Sequence, residues 1–142
     1  MRVLGIDVGD RRIGLAISDV SRTLARPLVT LVVKGEDGGV DQVAAEIARL
    51  GKEDDGLTAI VVGLPVRLDG SPNDQTTRVT AFIGALKTRT TLPIVTADER
   101  LTSREAESLL AHRTRDWRQR KTRLDAAAAA VILQDYLEAC RP

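Results

Sequence analysis

Three acidic positions stand where a carboxylate needs a reason. Asp7 falls inside Val3-Leu4-Gly5-Ile6-Asp7-Val8, an otherwise apolar run. A charge in such a place costs several kcal/mol unless it is paired or binds a cation; an acid tied to a turn amide is the simpler account of one isolated aspartate. Asp98 and Glu99 close a second apolar run, Leu92 to Thr96. Asp125 heads the last helical segment, and the residues three, four, seven and eight further on are Ala128, Ala129, Ile132 and Leu133. That spacing turns Asp125 toward the apolar face of its helix, although an acid in a first turn is also favourable through the helix dipole alone. His112 and Cys140 are single copies, so a zinc site is not expected. Carboxylates without nitrogen or sulfur partners suit a hard cation, Mg²⁺ or Mn²⁺. Two such ions about 4 Å apart activate a water and stabilise a leaving oxygen in phosphodiester hydrolysis.

The elements that must position these acids can be read from hydrophobic period and punctuation. The run around Asp7 reads as a buried strand ending at the Gly9-Asp10 turn, and Ile13 to Ser18 as the second arm of a hairpin. Pro27 to Val33 is a third strand. Val40, Val43, Ala44, Ile47 and Leu50 have helical spacing, with Gly51 as the helix stop. Leu57 to Val62 is a continuous apolar run, expected as a central parallel strand. Ser71 as N-cap and Pro72 at the first helical position open a second helix, whose apolar face is Val79, Phe82, Ile83 and Leu86. A strand from Leu92 follows. Thr102 to Glu105 is a capping box for a third helix, and Leu124 to Ala139 forms the last. This order predicts an α/β fold, a mixed five-stranded sheet with an antiparallel meander on one side, parallel strands on the other, and helices flanking both faces. The run Ala126 to Ala130 predicts close approach of the last helix to the sheet.

In open α/β sheets ligands gather beyond the carboxyl ends of the strands, where both Asp7 and the Asp98-Glu99 pair lie. Successive strand residues face opposite ways, so only one of Asp98 and Glu99 is expected to face the site. The other could pair with Arg100 or cap the next helix.

The composition bounds the rest. A chain of 142 residues suits one domain, 1–142. Hydrophobic residues are 43% and aromatics 2%, so the core must be aliphatic. With Cys140 alone there is no disulfide scaffold, and a reducing cytosol is expected; Cys140 reads as a small apolar residue at a helix end, with an intermolecular disulfide as the alternative. An acid stands where an export segment would continue, and no run approaches the roughly 18 apolar residues that span a bilayer. The expectation is a cytoplasmic protein with no membrane association.

Net charge is only +1, but it is unevenly spread. Arg113, Arg115, Arg118, Arg120, Lys121 and Arg123 are opposed only by Asp116. Such a stripe next to a carboxylate site is the footprint of a nucleic-acid contact, although a solvated loop would carry the same charges. Arg11, Arg12 and Arg100 are expected to join it on backbone phosphates. Trp117 is placed either to stack on a base or to pack against the domain. Gly9 would let the hairpin turn pass close to phosphate, and Gly63 would do so after the central strand; ordinary turn geometry is the competing account of both. His112 reads as a surface residue near helix carbonyls.

These residues resemble a known family. Gly5-Ile6-Asp7-Val8-Gly9-Asp10-Arg11-Arg12-Ile13-Gly14-Leu15-Ala16-Ile17-Ser18-Asp19 is similar to the opening motif of the YqgF proteins, also called RuvX. Val62-Gly63-Leu64-Pro65 with Asp69-Gly70-Ser71, then Asp98-Glu99-Arg100-Leu101-Thr102-Ser103 with Ala106, and finally Asp125-Ala126 with Ile132-Leu133-Gln134, resemble the later motifs in order. The resemblance implies an RNase H-like fold related to Holliday junction resolvases, and a nuclease role in maturing the 5′ end of pre-16S ribosomal RNA. It also implies that Asp7, Glu99 and Asp125 are the catalytic, metal-binding acids, with Asp98 beside them.

Three other readings compete. An ATP-binding module of the actin and hexokinase type also opens with an Asp and a glycine-rich hairpin, but it needs two lobes and this chain is too short. A non-catalytic RNA-binding assembly factor would have little use for a buried acidic cluster. A resolvase of branched DNA would use the same chemistry on a different substrate, and a homodimer would suit it, with two sites cutting two strands; no dimer interface is legible in the sequence.

Overall fold

A computed structural model describes residues 1–67, 69–99 and 117–140, with residues 117–124 described by their backbone. The elements are β1 (Arg2–Val8), β2 (Arg12–Ser18), β3 (Ala25–Val32), α1 (Val40–Gly51), β4 (Leu57–Pro65), α2 (Asp74–Leu86), β5 (Ile94–Glu99) and α3 (Trp117–Ala139). They form a five-stranded sheet in the order β3-β2-β1-β4-β5. β1 pairs antiparallel with β2 and parallel with β4; β2 pairs antiparallel with β3, and β4 parallel with β5. This is the mixed sheet of the RNase H-like fold. The helix expected from Thr102, together with Arg100, His112, Arg113 and Arg115, lies outside the described residues.

The two faces of the sheet follow from side-chain alternation. Leu4 and Ile6 of β1, Ile13, Leu15 and Ile17 of β2, and Ile60 and Val62 of β4 pack with Val43, Ile47 and Leu50 of α1 and Val79, Phe82 and Leu86 of α2. Val3, Ala16 and Val61 point the other way, against Ala129, Ile132, Leu133 and Leu137 of α3. The core is aliphatic as expected, with Leu4, Ile6, Ile13, Leu15, Ile17 and Ile60 wholly buried. Each such side chain contributes about 1.5–3 kcal/mol.

Several boundaries differ from the sequence reading. β4 continues past Val62 through Gly63 and Leu64 to Pro65, because pairing with β5 carries on to Glu99. α1 runs through Gly51 and is capped at Lys52, so Gly51 is not its stop. α2 begins at Asp74 rather than at Pro72. Its N-cap is Asn73, whose side chain accepts from the Thr76 amide while the Thr76 hydroxyl accepts from the Asn73 amide. The Thr76 hydroxyl also donates to the Pro65 carbonyl, which anchors the helix start to the end of β4. Ser71 instead bonds Asp69. β3 starts at Ala25, and its register against β2 shifts beside Ala16, where Pro27 enters the sheet edge.

The largest difference concerns the last helix. It begins at Trp117, not Leu124, so Asp125 is two turns inside it, and the dipole account of a first-turn acid does not apply. Part of the basic stripe, from Arg118 to Arg123, is therefore helical backbone rather than loop.

Candidate active site

β1 delivers Asp7 by parity. Val3, Gly5 and Asp7 share the face covered by α3, while Leu4, Ile6 and Val8 face α1 and α2. The same rule chooses between the neighbouring acids at the end of β5. Val95 and Ala97 pack on the α3 side, which puts Glu99 on that side and sends the exposed Asp98 to the other. Glu99 is the partner of Pro65 in β4, so β4 lies between the strand that carries Asp7 and the strand that carries Glu99. The Asp7 and Glu99 side chains are hydrogen-bonded to each other.

Asp125 reaches the same face because the strand residue beneath it, Gly14, has no side chain. A Cβ on Gly14 would run into the Asp125 carbonyl, and Gly14 is the cross-strand partner of Asp7. The backbone of α3 at Asp125 thus rests directly on β2 next to Asp7. One turn further, a Cβ on Gly5 would come within 2.8 Å of the Leu133 Cβ and 3.1 Å of the Ala129 carbonyl. α3 therefore runs antiparallel to β1, from Asp125 at the carboxyl end of that strand to Leu137 near Val3. The alanine run lets the two backbones meet, as its composition predicted. Gly5 and Gly14 were missed as site-forming residues; they sit in the opening motif, but only the helix lying across them explains why no side chain fits.

Gly63 belongs to the same set. A Cβ there would stand 2.5 Å from Ile132 Cδ1 and 3.0 Å from Glu99 Oε2, so it makes room for the helix and the carboxylate. Gly9 closes the hairpin: its amide donates to the Arg12 carbonyl at 2.9 Å, and a Cβ would meet that same oxygen at 2.7 Å. Ordinary hairpin geometry accounts for Gly9.

The electrostatics of the cluster are those of an anionic site. Burial pushes the Asp7 carboxyl up to about 6, the hydrogen bond from Glu99 opposes that rise, and the negative Asp125 adds to it. Among the described residues no group of three or more Asp, Glu, His or Cys side chains stands ready to hold a metal ion. The oxygen-only donors nevertheless fit a hard divalent cation in kind, and a cation there would offset both the burial and the Asp125 charge that raise Asp7.

The basic residues are distributed around this end of the sheet. Arg11 is exposed at the hairpin tip, and Arg12 is partly buried on β2, on the Asp7 side by its spacing from Gly14 and Ala16. Asp10 is held by Arg78 of α2. Since Asp125 sits over the carboxyl end of β1, residues 117–124 project about 12 Å beyond it at 1.5 Å per residue. The backbone of Trp117, Arg118, Arg120, Lys121 and Arg123 therefore extends past the carboxylates. Cys140 lies just beyond α3 and is exposed. No helix among the described residues is long and apolar enough to cross a membrane.

Known proteins are similar to this chain in sequence, and others in fold. Residues 1–139 match the family model described as "RuvX: Holliday junction resolvase". A relative from Roseiflexus sp. (strain RS-1), bearing the name "Putative pre-16S rRNA nuclease", is 39% identical over 140 residues, 99% of this chain and 96% of that one. A relative of the same name from Anaeromyxobacter dehalogenans is 40% identical over the full length of both chains. Among solved structures, T. thermophilus RuvC in complex with Holliday junction substrate superposes with a TM-score of 0.55 at 19% identity, over 98% of this chain and 94% of that one; this is a likeness of fold. By its sequence over nearly its entire length, the chain belongs to the RuvX family of nucleases.

Proposed function

We propose that this protein is a divalent-metal-dependent endonuclease that hydrolyses phosphodiester bonds in structured RNA, trimming the 5′ end of pre-16S ribosomal RNA. The observation that carries this reading is the placing of Asp7, Glu99 and Asp125 on one face at the carboxyl end of the sheet, with Asp7 pushed up to about 6 by burial, with a smaller push from the charge of Asp125 and against the Glu99 hydrogen bond. Asp7 is the central ligand, and Glu99 and Asp125 complete the set. Mg²⁺ or Mn²⁺ held there would supply an activated water and stabilisation of the leaving oxygen.

The protein's own residues do the rest. Glu99 and Asp7 share a hydrogen bond, so one of them can carry a proton to or from a reacting oxygen. Arg12 on β2, Arg11 at the hairpin tip and the basic first turns of α3 take the backbone phosphates. The family description favours a second substrate, a four-way DNA junction, which the same chemistry would cut; a homodimer would then serve the two strands. Incubating the wild type with labelled pre-16S RNA and with a four-way junction, with Mg²⁺, Mn²⁺ or EDTA, tests both. Metal-dependent cleavage of the RNA at its 5′ extension is expected. Cleavage of the junction alone would transfer the proposal to branched DNA, and cleavage of neither would overturn it.

A further inference from the structure

The loop joining β4 to α2 belongs to the second motif of the sequence, yet none of the roles assigned above uses it. It leaves the sheet from the strand between those that carry Asp7 and Glu99. Pro65 is the register partner of Glu99, and Arg67 follows two residues later. With strands about 4.8 Å apart and at most about 3.6 Å per residue, the Arg67 Cα lies within about 12 Å of the Glu99 Cα.

This loop is built to hold its shape without the Arg67 side chain. The Arg67 amide donates to the Ser71 carbonyl at 2.9 Å, and the Gly70 amide donates to the Arg67 carbonyl at 2.8 Å. Gly70 takes the left-handed conformation, φ 87°, that such a tight turn demands. Asp69 accepts from the Ser71 amide at 2.9 Å and from its hydroxyl at 2.6 Å. Thr76 and Asn73 fasten the loop's far end to β4 and α2.

The Arg67 side chain itself is exposed and makes no ion pair among the described residues. The nearby acids are otherwise engaged, Asp69 with Ser71 and Asp10 with Arg78. A fixed loop that displays an unopposed guanidinium beside an anionic cluster suits a phosphodiester backbone, whose negative charge needs such a partner to approach the carboxylates.

We propose that Arg67 is a substrate-binding residue that grips a backbone phosphate of the nucleic acid, between the strands that carry Asp7 and Glu99. This rests on the nuclease reading above. The experiment follows binding of fluorescein-labelled pre-16S RNA and of a labelled four-way junction by anisotropy, in an Asp7→Asn parent with Mg²⁺, across a salt series. Arg67→Gln should weaken binding three- to tenfold and flatten the slope of log affinity against log salt by about 0.7–0.9, the share of one phosphate contact. Arg67→Lys should keep the slope, and Lys52→Gln, at the opposite end of β4, should change neither quantity. The loop's bonds are made by backbone and by other side chains, so an unchanged thermal midpoint is expected for Arg67→Gln. An unchanged slope in Arg67→Gln with a parent that binds would overturn the assignment alone. A parent that binds neither probe would overturn the nuclease reading, and this assignment with it.

Discussion

Replacing Asp7 by Asn should abolish cleavage and, in the absence of metal, make the protein more stable. The carboxyl is pushed from an ordinary 3.8 to about 6 in the folded protein, first by burial and then by the charge of Asp125, against a lowering contribution from the Glu99 hydrogen bond. A raised carboxyl favours its protonated form in the native state. Below about pH 4 both folded and unfolded chains hold the proton, so the shift contributes nothing. Between about 4 and 6 only the native state holds it, and stability falls as pH rises. Above about 6 the loss is complete, roughly 3 kcal/mol at 1.36 kcal/mol per unit. Asn has nearly the same shape, can still bond Glu99, and carries no charge, so the variant should recover about 1–3 kcal/mol at pH 7.5. Urea unfolding in EDTA at pH 7.5 and pH 5 measures this. The variant should exceed the wild type at pH 7.5, and the gap should shrink toward pH 5. A variant equal to or less stable than the wild type at pH 7.5 would refute the claim that burial and the charge of Asp125 disfavour the Asp7 carboxylate.

Other substitutions probe how the site is assembled. Gly14→Ala forces a methyl group into the Asp125 carbonyl and should cost about 3 kcal/mol or more by overpacking, seen as a lowered urea midpoint with cleavage lost in parallel. Gln134 of α3 accepts from the Ala25 amide at 2.8 Å and donates to the Thr23 carbonyl at 3.0 Å. Gln134→Ala should therefore lose about 1–3 kcal/mol and raise hydrogen exchange at the start of β3, with the cleavage rate little changed. Asn73→Ala should cost about 1 kcal/mol of thermal stability as a lost cap, whereas Ser71→Ala should have a smaller effect; the reverse order would restore Ser71 as the cap.

Much of the fold was legible because its signals are local. The apolar runs of β1 and β2 survive in the structure to within a residue, and those of β4 and β5 mark the two strands although both strands end three residues later than the runs. Two of the candidate acids could be singled out from the residues alone, Asp7 by its apolar surroundings and Asp125 by its spacing from Ala128, Ala129, Ile132 and Leu133. Parity left Asp98 and Glu99 undecided until the sheet assigned a face to each. The errors came where tertiary contacts outvoted local pattern. Ser71-Pro72 is a good helix start in isolation, but the Thr76 hydroxyl bonds the Pro65 carbonyl and moves the start to Asn73. The first two turns of α3 carry Arg, Lys and Gln with few apolar residues, so no periodicity marked them as helix. Gly5 and Gly14 were missed, and Gly63 was read as a turn or phosphate residue, because a sequence does not show which helix lies across a strand.

The central claim is that Asp7, Glu99 and Asp125 form one metal-dependent centre. It is tested most directly by single-turnover cleavage of the labelled RNA and junction substrates in saturating Mn²⁺, comparing the wild type with Glu99→Gln and Asp125→Asn. Each variant is expected to fold and to lose at least about 100-fold in rate by loss of metal-supported chemistry, and the double variant to lose little more than either single one. A variant of either acid that cuts at the wild-type rate would contradict the claim.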